Sequence, residues 1–422
     1  MKIGFYGNTN NYPFMIARAL RRMGHDVVFL VDRKEPLHRP EGRYNDIPFP
    51  YPDWIVDVSP LDLHVPLRPL PPQRARTVAL LKECDAVFLN MLGPSLWPEI
   101  RRPAAILLTG ADLEDYADYG FVSRYLRAVK KGVRWYPFGR FRQNVAEIVG
   151  EGFYMCRLVA AQRAGIRAGT VVSYFAPGMV RRGDAMLERI GVPDGKRIFL
   201  IMTDPEKIGF HPLPENPVVR VFNVARLTWK KPTGETPLGG YSSELDFKGS
   251  DVMVRGLGMF RRKTGIRLDI RLVKKGRHVE ETMRLVEEEG IASQVTWLDE
   301  MTQQEVLEEY RCADIVFDQL GKGMISMGCL DAMATGRSVI ANGRPEIVEK
   351  LVGAAAPVCQ AETSEEVCAQ LLRLVPDRAE RERVGLLSRL YVESHFSSEA
   401  AARTCLEWLD EAIHASSPPR TA

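Results

Sequence analysis

Short apolar runs alternate along the first half of the chain with stretches whose apolar residues recur at helical spacing. KIGFY (2–6) is a buried-strand pattern, PFMIARALRRMG (13–24) a helical one, and DVVFLV (26–31) a second strand. Together they predict a βαβ unit. Further strands are expected at AVFLN (86–90), AAILLTG (104–110), TVVSYF (170–175) and RIFLIM (197–202), separated mostly by helical or proline-rich segments. Strands alternating with helices predict a parallel sheet covered on both faces.

The proline-studded FHPLPENP (210–217) has little that could pack, and the alternation restarts after it at VVRVFNVARL. The second series predicts helices at 250–263, 279–290 and 302–311 and strands at 268–273, 294–298, 314–318 and 338–341. Helical patterns at 363–374, 380–392 and 398–414 close the chain. The expected fold is therefore α/β, with two doubly wound, Rossmann-like domains at 1–212 and 218–396. A C-terminal helix at 397–415 is expected to pack back on the first domain. The polar interval 229–247 is too long for an ordinary connection and reads as a functional loop or a disordered excursion.

A chain of 422 residues suits two domains, and 45% apolar with 26% charged residues suits buried cores. The net charge of +3 says little about polyanions on average. Seven cysteines without paired spacing read as reduced thiols. MKIGFYGNTNN runs straight into a strand, which predicts no signal peptide and a cytoplasmic protein, peripheral at the inner membrane face if the basic segment described below meets lipid. No window is apolar enough for a transmembrane helix.

The stretch GKGMISMGCLDAMATGRSVIA (321–341) carries the candidate chemistry. Small residues at Gly321, Gly323, Ser326 and Gly328 admit close approach of a ligand, and the following helix offers unpaired N–H groups to a phosphate. Asp331, about a turn further on, could accept hydrogen bonds from ribose hydroxyls. A glycine-rich turn before a packed helix, with Asp331 solvated, is the ordinary alternative. GFYGNTN lacks the Gly-x-Gly-x-x-Gly spacing of a dinucleotide site.

VFNVARL (221–227), KGSDVMVRGLGMF (248–260), VTWLDEMTQQEVLEEYRCADIVFDQ (295–319) and LDAMATGRSVIA (330–341) occur in this order at domain-like spacing. Together they resemble glycosyltransferase family 4, the retaining enzymes of GT-B fold, over the second domain. GNTNN and ALRRMGHDVVFLV extend the likeness more loosely to the first. The resemblance implies two domains facing a cleft and transfer of a sugar from a nucleotide-diphosphate sugar to a hydroxyl acceptor. The co-substrate it implies is a UDP- or GDP-sugar, with no cofactor. It matches Arg226 and Lys248 to the cations that hold the donor diphosphate, although 21 residues intervene here and Lys230 and Lys231 are rivals. It assigns Gly7, Ser326, Met327 and Gly328 to the donor and Asn10 and Asn11 to the acceptor. The family's paired glutamates map to Gly323, where the carboxylate that contacts the donor sugar is missing, and to Asp331, the ribose acid.

No Asp-x-Asp occurs, so metal independence is expected. LLTGADLEDYAD (107–118) falls where many relatives have a histidine near the reacting sugar. Asp112 there could orient acceptor or donor; a helix cap is its ordinary alternative. The segment 121–146 carries seven basic residues, no acid, and six interleaved aromatics. That content suits an anionic membrane surface or a phosphorylated, lipid-linked acceptor, and also single-stranded nucleic acid, the least favoured partner. A solvated basic face is the ordinary alternative. A non-catalytic sugar-nucleotide binder and a GT-B epimerase are the competing functions.

Overall fold

The computed structural model describes residues 1–33, 38–58, 72–130, 145–230, 247–321 and 325–416. Two compact units divide the described residues: one comprises Met1–Leu200 and the segment from Ala401, the other the described residues between Ile201 and Ala400. The first holds a parallel sheet of β1 (Lys2–Tyr6), β2 (Asp26–Val31), β3 (Ile55–Asp57), β4 (Ala86–Asn90), β5 (Ala104–Leu107), β6 (Val171–Ser173) and β7 (Arg197–Ile198), in the order β3-β2-β1-β4-β5-β6-β7. The register puts Phe5 opposite both Phe29 and Phe88, and the rings stack at 5.6 and 4.4 Å. Phe14, from the Tyr12–Arg22 helix, meets Phe29 edge-on at 4.9 Å and covers this aromatic row.

In the second unit β8 (Arg220–Asn223), β9 (Asp269–Val273), β10 (Val295–Leu298), β11 (Ile315–Phe317), β12 (Ser338–Ala341) and β13 (Cys359–Gln360) form a parallel sheet in the order β10-β9-β8-β11-β12-β13. Its core joins Ile270, Leu272, Ile315, Phe317 and Ile340 of the sheet to Val254, Leu257 and Phe260 of the Ser250–Thr264 helix. Both sheets are doubly wound, as the apolar pattern predicts. β3 and β13 escaped it because short edge strands carry too few residues to show a period. β7 is also at an edge and ends at Ile198 rather than at residue 202.

The proline-rich stretch at 210–217 packs more than its sequence suggests. The Leu213 side chain is buried, and the His211 amide donates to Thr335 O at 3.1 Å. Prolines lack an amide proton but keep their carbonyls, and arginines exploit this: Arg378 donates to Leu213 O and Pro214 O at 3.0 and 2.9 Å. The division between units accordingly falls before this stretch, at Leu200 and Ile201.

Arg337, at the entrance to β12, is fully buried. Its Nε donates to Tyr310 O at 2.7 Å, and its Nη2 donates to Pro212 O and Arg311 O at 3.0 and 3.2 Å. Tyr310 and Arg311 lie in the last turn of the Gln303–Cys312 helix, where the carbonyls lack the next turn's amides and the negative dipole end favours a cation. Burial pushes the guanidinium down to about 10, so it stays charged at neutral pH. Arg337→Met should take the guanidinium donors away from these carbonyls and cost about 3–5 kcal/mol of stability, measured by denaturant unfolding. Arg337→Lys, whose single ammonium cannot span the same carbonyls, should recover only part of it.

Candidate active site

In an open parallel sheet, ligands bind beyond the carboxyl ends of the strands where the strand order reverses. In the second unit that point lies between β8 and β11. Arg226 follows β8, is exposed, and its side chain has no hydrogen bond or ion pair among the described residues. Lys248, 22 positions further along, returns to the same place. Its amide donates to Thr228 O at 2.7 Å, and the Ser250 hydroxyl donates to Arg226 O at 3.4 Å. The ammonium of Lys248 donates to Gln319 Oε1 at 2.6 Å, just beyond β11. The rival Lys230 is an exposed cation paired with Glu281 at 3.2 Å, and Lys231 lies outside the described residues.

Two glycines allow this convergence. A Cβ on Gly321 would lie 2.0 Å from Phe247 O, and Gly249 takes φ +67° against the Leu320 backbone. The next loop is tied by Asn342, after β12, which donates from its amide to Gln319 O and from Nδ2 to Gly321 O, both at 3.0 Å.

Ser326 caps the Met327–Ala334 helix, its hydroxyl accepting from the Cys329 amide at 3.1 Å. The Met327 and Gly328 amides have no acceptor among the described residues, so two donors of the first turn face outward. Asp331 is buried. One of its oxygens accepts from the Thr203 hydroxyl and the other from Gln303 Nε2 at 3.2 Å. Gly323 and residues 231–246 lie outside the described residues.

Sequence reasoning gave no role to Asp318 and Gln319, the latter bonded to Lys248. Asp318 is 8% exposed, and its amide donates to Ile340 O at 3.1 Å. Its Oδ2 atom is buried without a partner. Burial pushes the carboxyl above the ordinary range; the Ser326 hydrogen bonds and the Lys248 charge oppose this. The signal was present in the sequence: an acid directly after a wholly apolar strand stands at the sheet's carboxyl edge.

The first unit has its reversal between β1 and β4. Gly7 takes φ +89° there, and a Cβ on it would lie 2.5 Å from Asn90 O. Asn90 Oδ1 accepts from the Thr9 amide at 2.9 Å. Asn10 and Asn11 both adopt left-handed backbone. Asn11 is buried and accepts from Asn8 Nδ2 at 2.8 Å, whereas the exposed Asn10 side chain has no partner among the described residues. His38 is a neighbour the spacing did not reveal; its Nδ1 accepts from the Asn10 amide at 3.2 Å.

Asp112 is buried and turned into its own loop. It accepts from the Thr109, Gly110 and Leu113 amides at 2.9–3.1 Å and from the Thr109 hydroxyl at 3.1 Å. The N-cap position of the Ala111–Glu114 helix is Gly110, so Asp112 is not the cap itself but turns back from inside the first turn. Among the described residues no group of three or more His, Cys, Asp or Glu is placed to hold a metal ion, and no helix is long and apolar enough to cross a membrane. Residues 131–144 of the basic segment lie outside the described residues.

No protein-family model and no curated protein matches the chain. Solved structures do. Anabaena HepE in complex with UDP and glucose aligns over 98% of this chain and 100% of its own, with 13% identity and a TM-score of 0.56. Sucrose-phosphate synthase from Thermosynechococcus elongatus aligns over 99% and 100%, with 14% identity and a TM-score of 0.55. A glycosyltransferase from Rickettsia africae aligns over 99% of both chains, with 12% identity and a TM-score of 0.55. The chain has the GT-B fold. Within this GT-B chain, the cations and helix start described above belong to the second α/β unit, and the asparagine turn and Asp112 to the first.

Burial pushes Asp112 up to about 6 against 3.8 for an ordinary carboxyl, although its hydrogen bonds pull the other way. An acid raised on folding keeps its proton longer in the folded state. Its contribution is full below pH about 4 and is lost as pH rises through about 6. A rise of this size corresponds to roughly 3 kcal/mol. Denaturant unfolding of wild type and Asp112→Asn from pH 4 to 7 should show the wild-type advantage shrinking with pH; a constant difference would mean that the carboxyl stays ionised.

Proposed function

We propose that this GT-B protein is a glycosyltransferase whose second unit binds a nucleotide-diphosphate sugar and whose reaction retains anomeric configuration without a metal. The observation that carries the reading is the return of Lys248 to the Arg226 loop across a 21-residue excursion, at the point of strand-order reversal. Two cations and the free Met327 and Gly328 amides there match a diphosphate in charge and in hydrogen-bond direction. HepE, of the same fold, was solved with UDP-glucose, which makes UDP-glucose the first donor to try.

The cations would act most strongly on the charge that grows as the nucleotide diphosphate departs. The diphosphate would itself take the acceptor's proton, so no dedicated nucleophile is required. Asp331 would hold the ribose, its hydroxyls replacing the Gln303 amide, while Asn10 would face the acceptor. The basic segment 121–146 would bring an anionic or membrane-borne acceptor to the first unit. If so, reversing Arg127, Lys130, Lys131 and Arg134 should abolish salt-dependent sedimentation with anionic liposomes; unchanged sedimentation would remove the membrane.

Calorimetric titration and donor turnover test the core of the reading. Arg226→Ala and Asp331→Ala should each weaken UDP binding by roughly ten- to a hundredfold, and Gln303→Ala should not. Lys248→Ala should lower turnover by about a hundredfold or more while changing donor affinity less. Normal turnover by Lys248→Ala at saturating donor would remove that residue from the mechanism.

A further inference from the structure

Among the acids at the carboxyl edge of the second sheet, Asp318 differs from Asp331 in one respect. Asp331 has both oxygens engaged by its own chain, whereas Oδ2 of Asp318 is buried and unpartnered. Its backbone is fixed on both sides, the Asp318 amide donating to Ile340 O at 3.1 Å and the Leu320 amide to Lys248 O at 2.9 Å, so the orphan oxygen does not belong to a loose segment. An unpaired buried acceptor is unfavourable, and such atoms are rare unless another molecule supplies the donor. Lys248 is the nearby cation acting on Asp318, and its ammonium is already bonded to Gln319 Oε1 at 2.6 Å.

The chemistry of the missing donor is constrained. A carboxylate repels phosphate, so Asp318 does not receive the diphosphate that Arg226, Lys248 and the helix start would hold. A neutral hydroxyl adjoining that diphosphate satisfies Oδ2 without adding charge. In a nucleotide-diphosphate sugar, the hydroxyls on the far side of the diphosphate from the nucleoside belong to the sugar.

We propose that Asp318 Oδ2 accepts a hydrogen bond from a hydroxyl of the donor sugar and thereby determines which sugar the site takes. The proposal rests on the nucleotide-sugar reading given above. It gives the second unit a sugar-reading carboxylate on the strand edge at β11, although the sequence has glycine at 323.

Asp318→Asn is nearly isosteric: it keeps one oxygen and replaces Oδ2 by an amide nitrogen that cannot accept. Titration of wild type and Asp318→Asn with UDP and with UDP-glucose, and with GDP and GDP-mannose as a second pair, separates nucleotide from sugar. The expected result is unchanged affinity for the bare nucleotide diphosphate, within about twofold, and a roughly tenfold loss in the ratio of sugar-nucleotide to nucleotide affinity. Retained nucleotide binding also reports that the variant is folded. An unchanged ratio would overturn the proposal, and so would equal loss of both ligands, which would make Asp318 a support of its loop. Wild type that binds none of the four would overturn the nucleotide-sugar reading itself.

Discussion

The main chain of Lys248 is bonded on both sides, its amide to Thr228 O at 2.7 Å and its carbonyl to the Leu320 amide at 2.9 Å. That pair of bonds ties the end of β8 to the end of β11 and starts the Ser250–Thr264 helix where the strand order reverses. Without it Arg226 and Lys248 would stand apart on an ordinary surface. The convergence depends on backbone more than on charge, because Gly321 lets Phe247 O approach to a distance no side chain would permit, and Gly249 supplies the left-handed turn. A long excursion is tolerated because closure entropy grows only slowly with loop length once both ends are pinned.

Three buried aspartates show how similar burial leads to different chemistry. Asp112 is surrounded by amides of its own turn and Asp331 by a hydroxyl and a carboxamide, so each has donors already in place. Asp318 lies under the influence of a lysine and retains an acceptor without a donor. Burial alone does not mark a site.

The second unit rests on arginines that bond to carbonyls. Arg337 and Arg378 gather the carbonyls of the proline-rich stretch and the last carbonyls of the Gln303–Cys312 helix. The same helix carries Gln303 at its other end, against Asp331. Structural anchoring and the candidate nucleoside site thus occupy opposite ends of one element.

What the residues alone determined was the alternation. KIGFY, DVVFLV, AVFLN and SVIA are strands with the boundaries their patterns predict, because central parallel strands are buried on both faces and read as uninterrupted apolar runs. The four ordered motifs pointed to the GT-B fold for a related reason, since each marks a strand end or helix start in the second sheet. Only tertiary structure decided that Lys248 returns to Thr228, that Asp331 is occupied by Thr203 and Gln303, and that Asp318 is left with a free oxygen. Partners 20 to 128 positions apart in the chain leave no periodic trace, and whether a carboxylate is satisfied depends on where those distant donors come to rest.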